Sequence, residues 1–317
     1  MTISLDDIRA ARDRIQPYVH QTPLLSSEQL SRELGLEVFF KGEHLQKVGA
    51  FKARGAANTV FSLDDEAAIA GVATHSSGNH GAALARAAKL RQIPAHVVVP
   101  ENANPTKVKA IEGYGAHVIR CEATLEAREQ TLAAVITKTG ATMVHPYDDP
   151  RVIAGQGTAA LEVIEQVTGL GLKLDALITP VGGGGLLAGS AVACKARSHA
   201  NVFGAEPDGA DDAYRSFYSG VRVTQHTPNT IADGLRTTLG AHNFEIIREK
   251  VDDIFLVSED EIVAAMALIW TRLKQVVEPS SAVALAALMK NRDRFRDQTV
   301  CLILTGGNVD LANLPFK

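Results

Sequence analysis

The chain has 317 residues, 46% hydrophobic and 21% charged, with a formal net charge of −4. This describes a soluble globular protein with a sizeable core, and the basic cluster Arg292 to Asp297 is interleaved with acids, which excludes a nucleic-acid footprint. No apolar run reaches membrane-spanning length and Met1 to Asp7 carries no signal-peptide core, so no membrane association and a cytoplasmic location are expected.

Strand-like and helix-like patterns alternate from end to end, which gives an α/β protein. The first informative segment, Glu43 to Gly55, places Lys52 between Phe51 and Ala53. An amine held against partly apolar walls loses part of its proton affinity and becomes a candidate anchor for a carbonyl-bearing cofactor. The alternative is a lysine that opens an amphipathic helix and faces solvent. The strand-like Gly71 to Thr74 leads into His75-Ser76-Ser77-Gly78-Asn79-His80-Gly81, and Ala82 to Leu90 is helix-like. Hydroxyls and free amides in this loop suit a carboxylate, and Asn79 suits a phenolic ring oxygen; a serine-rich helix cap is the other reading. Ala95 to Val99, Ala116 to Arg120 and Thr142 to His145 complete a candidate small domain over residues 71–148, inserted into a larger one made of residues 1–70 and 149–317. Closure of that domain would carry Ser77 and Asn79 towards Lys52.

Asp175 to Val181 reads as a buried parallel strand and Leu186 to Ala196 as a small-residue helix, with Gly182, Gly183, Gly184 and Gly185 between them. Backbone N–H groups converging there at a helix N-terminus make a phosphate cup, although a tight turn needs one or two of the same glycines. A dinucleotide fingerprint also fits Gly183 to Ala188, with Glu206 at the spacing of a ribose-binding acid, so a nicotinamide-dependent oxidoreductase stays open on pattern alone. Ile262 to Val276 is helix-patterned and suits core or subunit interface. A third polar turn, Thr305-Gly306-Gly307-Asn308, follows the apolar run Thr299 to Leu304, and loops at the carboxyl ends of parallel strands line one crevice. Cys121, Cys194 and Cys301 read as buried structural thiols. Lys317 comes soon after the last turn, an arrangement expected of a chain without an appended regulatory domain.

Taken together, Gly49-Ala50-Phe51-Lys52-Ala53-Arg54-Gly55-Ala56, Ser76 to Gly81, Ile153 to Thr158, the four glycines and Thr305 to Asp310 resemble the pyridoxal-phosphate enzymes of the serine/threonine dehydratase and serine racemase family. Ile231 to Gly234 and Val251 to Phe255 look most like its racemase and hydroxyaspartate dehydratase branch. The resemblance covers nearly the whole chain and implies the tryptophan-synthase-β-like fold (fold type II), two open and mostly parallel sheets with flanking helices. It implies that Lys52 forms the internal aldimine and removes the α-proton, with Ser77 as acid and base on the opposite face. Phe51 would pack near the ring, Asn79 would bond its 3′-oxygen, and Gly182 to Gly185 would hold its phosphate. Thr305, where the family usually has serine, would face the pyridine nitrogen; a neutral hydroxyl does not enforce a protonated ring as a carboxylate would.

Ser76, Ser77, Asn79 and His80 would take the substrate, with Arg128 on the same side or, alternatively, on the helix surface. Glu206, Ala210 and Asp212 resemble the branch's divalent-metal loop, with hard oxygen ligands for magnesium, calcium or manganese. Two segments depart from the pattern: Tyr147 replaces an asparagine, and Ser281-Ala282-Val283-Ala284 replaces a glycine-bearing stretch after Glu278. The activity implied is dehydration of an L-β-hydroxy amino acid (serine, threonine or 3-hydroxyaspartate) to a 2-oxo acid and ammonia, by a homodimer. Racemisation of serine or aspartate is the near alternative; a non-catalytic amino-acid binder on the same fold is more remote.

Overall fold

A computed structural model describes residues 3–316. Among the described residues, ten strands divide between two sheets. The larger is built from β1 (Leu24–Ser26), β2 (Glu37–Lys41), β7 (Ala176–Pro180), β8 (Asn201–Pro207), β9 (Asp253–Val257) and β10 (Thr299–Ile303), in the order β1-β2-β10-β7-β8-β9. Only β1 is antiparallel to its neighbour. The smaller is wholly parallel and comprises β3 (Val72–His75), β4 (Ala95–Pro100), β5 (His117–Cys121) and β6 (Thr142–Met143), in the order β5-β4-β3-β6.

The pleat explains why continuous apolar runs make these strands. On β10, Val300 and Leu302 enter one core while Cys301 and Ile303 enter the other, so a strand with helices on both faces must be apolar at every position. The same alternation on β4 sends Val97 and Val99 to one side and Val98 to the other. Cys121, Cys194 and Cys301 are buried and free. Expected strands and helices lie within a few residues of those observed, with one correction. The helix expected over 262–276 runs from Glu259 to Leu268, continues as a wide π turn over Ile269–Leu273, and stops at Lys274 in the left-handed region. Trp270 Nε1 donates to the Val277 carbonyl at 3.1 Å and folds the chain back, which leaves Val276 exposed beyond the helix.

One buried ionic cluster fixes the helix Lys52–Ser62 in the larger layer. Arg54 is fully buried and forks onto Glu43 (2.7 Å through both Nε and Nη2) and Glu162 (2.6 and 2.8 Å). Lys41 Nζ adds 2.6 Å to Glu162 and 2.8 Å to the Thr22 carbonyl. Two cations thus meet two carboxylates with hydrogen bonds filling the remaining lone pairs, the condition under which buried charge is tolerated. The Arg54 guanidinium is held further above its ordinary range by Glu43 and Glu162, against the opposing effect of burial.

Candidate active site

Lys52 opens its helix after a strained approach. Val48, a β-branched residue, has φ 58° and Gly49 has φ 68°, a conformation that persists only where its surroundings impose it. What imposes it is the polar turn after β10. Phe51 N donates to the Thr305 carbonyl at 3.0 Å, Gly307 N to the Gly49 carbonyl at 2.9 Å, and Asn308 Nδ2 to the Val48 carbonyl at 2.8 Å. Lys52 Nζ consequently points inward. It donates to the Pro146 carbonyl at 2.8 Å and lies 5.1 Å from the Phe51 ring centroid. Burial lowers its pKa to about 8, and Glu278 opposes that shift. The solvent-facing alternative for Lys52 does not hold.

The glycine run occupies the turn between β7 and the helix Gly185–Arg197, with Gly184 at φ 90°. Among the described residues, no acceptor is bound by the N–H groups of Gly182 to Gly185, although all four glycines are buried. Buried donors without partners at the positive end of a 13-residue helix call for an anion. The absence of side chains is also sterically required: a Cβ on Gly183 would overlap the Tyr147 ring, and one on Gly185 would lie 2.8 Å from the Tyr147 carbonyl. Asn243 Nδ2 ties the segment together by donating to the Gly183 carbonyl at 2.6 Å and the Tyr147 carbonyl at 3.1 Å.

The polar loop after β3 meets the larger layer through Asn79. Its Nδ2 donates to Glu278 Oε1 at 3.0 Å, and its Oδ1 accepts from Asn308 Nδ2 at 2.8 Å. Glu278 is buried, and its carboxyl is raised to about 7, chiefly by burial and then by Asp233. Ser76 and Ser77 are half-buried beside Asn79, with Ser76 Oγ accepting from Gly78 N at 3.4 Å. The His80 ring is buried, with Nε2 3.3 Å from the Val144 carbonyl and Nδ1 without a hydrogen bond, and burial, helped by the charge of Lys52, holds its pKa well below the ordinary value. Arg128 lies on the helix Leu125–Thr139, where Nε donates to the Thr124 carbonyl at 3.3 Å. Its charge reaches His75, adding to the burial that lowers that imidazole's pKa. His145 is lowered to about 4 by burial, and its Nδ1 accepts from Asp148 N at 2.9 Å, as a neutral ring does.

Thr305 is buried at the end of β10, with its hydroxyl 3.1 Å from Ser281 Oγ. These positions meet at the carboxyl ends of β3, β7 and β10, together with the segment after β6. Lys52, the glycine run, Asn79 and Thr305 are brought together there. Their chemistry fits pyridoxal phosphate: an amine of lowered pKa for its aldehyde, unpaired amides for its phosphate, and an amide and a hydroxyl for its ring. Three further residues of the crevice had signals only partly legible in sequence. Tyr147 and Ser281 stand at departures from the family pattern, and Glu278 precedes a proline at a helix start; none of these indicates its spatial partner.

The acidic loop lies apart, at the end of β8. Glu206 Oε1 accepts from Ala213 N at 3.1 Å and Oε2 from Tyr214 N at 2.8 Å, which turns this carboxylate onto the helix Asp212–Ser219 and away from the position that a ribose ligand requires. Asp212 Oδ2 accepts from Leu239 N at 2.8 Å, whereas Oδ1 is buried, accepts no hydrogen bond and has His226 Nε2 3.5 Å away. Burial raises Asp212 to about 6, and burial together with Asp212 raises Glu206 well above the carboxylate range. Two hard oxygen donors, one of them without a hydrogen bond, fit a divalent cation with waters. Among the described residues there is no group of three or more His, Cys, Asp or Glu side chains to hold a metal, so a cation here needs main-chain oxygen and water as well.

The family model described as "Pyridoxal-phosphate dependent enzyme" matches residues 15–306. The chain is 51% identical over 319 residues to a serine racemase of Dictyostelium discoideum, covering 99% of this chain and 97% of that protein. It is 47% identical over 313 residues to a beta-hydroxyaspartate dehydratase of Paracoccus denitrificans, covering 98% of each. The solved structure of maize serine racemase superposes with a TM-score of 0.95 at 45% identity, covering 98% of this chain and 95% of that one.

Proposed function

The chain belongs to the pyridoxal-phosphate dependent enzyme family, and from that membership we propose that it dehydrates an L-β-hydroxy amino acid, serine, threonine or 3-hydroxyaspartate, to a 2-oxo acid and ammonia. The observation that carries this reading is the half-buried Lys52 amine, turned inward onto the Pro146 carbonyl, lowered to about 8 and set near the unpaired glycine amides. When bound, the cofactor supplies the electron sink that stabilises negative charge at the substrate α-carbon.

This chain's residues do the rest. Lys52 anchors the cofactor aldehyde and then takes the α-proton, and a pKa near 8 leaves a useful fraction neutral around neutral pH. The Pro146 carbonyl holds its Nζ in place. Gly182 to Gly185 would hold the cofactor phosphate through backbone N–H groups, with Phe51, Asn79 and Thr305 as the residues that would hold its ring. The substrate carboxylate sits on the loop of Ser76, Ser77, Asn79 and the His80 main chain, with Arg128 as a more distant cation. Loss of the β-hydroxyl as water leaves an enamine; once free, it tautomerises and is hydrolysed, taking up one water and releasing ammonia.

We also propose that residues 71–148 close as a unit over the substrate. Lys107 pairs with Asp233, and Asn104 Nδ2 donates to Asp310 at 3.1 Å, both reaching across to the larger layer. Glu206, Asp212 and the Ala210 carbonyl would hold a magnesium, calcium or manganese ion, a reading supported by Asp212 Oδ1, which accepts no hydrogen bond. A cytoplasmic homodimer completes the proposal; no helix among the described residues is long and apolar enough to cross a membrane.

Racemisation of serine or aspartate is the second reading, favoured by the 51% identity to a protein named serine racemase. Lys52 and Ser77 on opposite faces would then remove and return one proton. The test is a panel assay of cofactor-loaded protein with magnesium, following 2-oxo acid and enantiomer composition from L- and D-serine, L-threonine, aspartate and the 3-hydroxyaspartate isomers. Oxo acid dominating from one hydroxy amino acid supports the dehydratase and fixes its substrate. Inverted enantiomer outpacing oxo acid overturns it in favour of the racemase.

A further inference from the structure

The helix Ala241–Lys250 begins without a cap of its own, because Gly240 before it has no side chain to accept from the first turn. A helix start leaves its first N–H groups without intrahelical partners. Here one distant carboxylate takes three of them. Asp148 Oδ2 accepts from Ala241 N at 2.9 Å, and Oδ1 accepts from His242 N at 2.9 Å and Asn243 N at 3.2 Å. Backbone amides at the positive end of a helix make charge-assisted bonds to such a group. The fit is close: a Cβ on Gly240 would lie 2.4 Å from Asp148 Oδ1. A Ser, Thr, Asp or Asn at the helix start would cap it locally. A cap from 93 positions away also joins two segments.

Both segments serve the site. Asp148 follows Pro146, whose carbonyl accepts from Lys52 Nζ at 2.8 Å, and Tyr147, whose ring covers Gly183. The helix start, for its part, holds the glycine run: Gly240 N donates to the Gly183 carbonyl at 3.1 Å and Asn243 Nδ2 to the same oxygen at 2.6 Å. The next residue, Asp149, caps its own helix through Arg151 N at 2.8 Å, so the two neighbouring acids have separate tasks. We propose that Asp148 is a positioning residue that sets the separation between the Lys52 amine and the glycine amides, by pinning residues 145–149 to the helix start that carries the glycine run. This rests on the reading that Lys52 and Gly182 to Gly185 hold pyridoxal phosphate. The aldehyde and the phosphate of that molecule sit on one rigid ring, so the two groups that meet them must keep a fixed distance. No contact of Asp148 with the cofactor is required.

The test is 31P NMR and equilibrium dialysis of the protein loaded with pyridoxal phosphate, for wild type, Asp148→Ala and Asp148→Asn, with Tm measured alongside. In Asp148→Ala the bound-phosphate resonance is expected to move and affinity to fall about 10-fold, the size of one lost hydrogen bond to a charged group. Formate, a free carboxylate able to occupy the three amides but not joined to residues 145–149, is expected to leave both displaced, with any gain confined to Tm. Recovery of resonance and affinity by formate would show that the carboxylate only caps the helix, and overturns the proposal. A lowered Tm with wild-type resonance and affinity overturns it too. Asp148→Asn keeps one accepting oxygen and serves if the alanine variant fails to fold; it is expected to move both readouts in the same direction by less, and unchanged values there overturn the proposal. A wild type with no bound-phosphate resonance overturns instead the reading of the site on which the proposal rests.

Discussion

The Asn79 side-chain amide donates to the Glu278 carboxylate at 3.0 Å, joining the loop after β3 to the start of a helix late in the chain. Glu278 in turn supports the charge of Lys52, so the loop that would take the substrate, the buried acid and the anchoring amine form one electrostatic unit.

That unit gives a pH prediction. The Glu278 carboxylate favours the Lys52 ammonium and opposes the lowering by burial, which leaves Lys52 at about 8. Replacing the carboxylate by a neutral amide removes the opposing effect, so Glu278→Gln lowers the Lys52 pKa further. The midpoint of cofactor attachment against pH, followed by stopped-flow absorbance, falls below about 8 in the variant. A midpoint that stays put or rises would show that the two groups are not coupled.

The packing of Tyr147 on Gly183 predicts a pair of linked substitutions. Gly183→Ala puts a methyl into the tyrosine ring, and overpacking of this kind costs roughly 1–3 kcal/mol. If the cost falls on the cup, affinity for pyridoxal phosphate drops about 10- to 100-fold. Adding Tyr147→Ala to Gly183→Ala makes room and restores part of the loss. Equal affinity in wild type and Gly183→Ala would mean that the phosphate is held elsewhere.

For the acidic loop the readout is thermal. A divalent cation bound only by the folded protein stabilises it by about 2.7 kcal/mol when present at 100 times its Kd. Magnesium is expected to raise the Tm of the wild type and to leave that of Asp212→Asn unchanged, since the variant loses the carboxylate charge and can turn an NH2 group to the position of Oδ1, which accepts no hydrogen bond. A rise of the same size in both proteins would remove Asp212 from the ligand set.

Ser77 tests the opposite-face model without touching the anchor. In Ser77→Ala, serine racemisation is lost while 2-oxo acid formation largely remains, as read by chiral chromatography beside an oxo acid assay. Unchanged racemisation would place the second acid and base on another residue.

Much of this arrangement was legible in the sequence because strand, polar turn and helix recur around β3 and β7, and a third polar turn follows β10. The rule that such turns share the carboxyl edge of a parallel sheet brings Lys52, the glycine run, Asn79 and Thr305 to one crevice. What stayed hidden depends on which loops meet. Nothing local to Tyr147 says that its ring packs on Gly183, or that Asn79 meets Glu278. Arg54 stood in plain view within the lysine motif, yet its burial follows from Glu43, Lys41 and Glu162 arriving from three other segments. The helix expected to reach Val276 ends at a π turn because Trp270 finds the Val277 carbonyl, a tertiary bond that helical periodicity does not encode.

The most direct test of the central claim is to reduce the pyridoxal-phosphate-loaded protein with borohydride and map the modified peptide. The account predicts a pyridoxyl group on Lys52, with Lys52→Ala showing neither the modification nor turnover of a β-hydroxy amino acid. A group fixed to another lysine, or a Lys52→Ala protein that turns over at the wild-type rate, would contradict it.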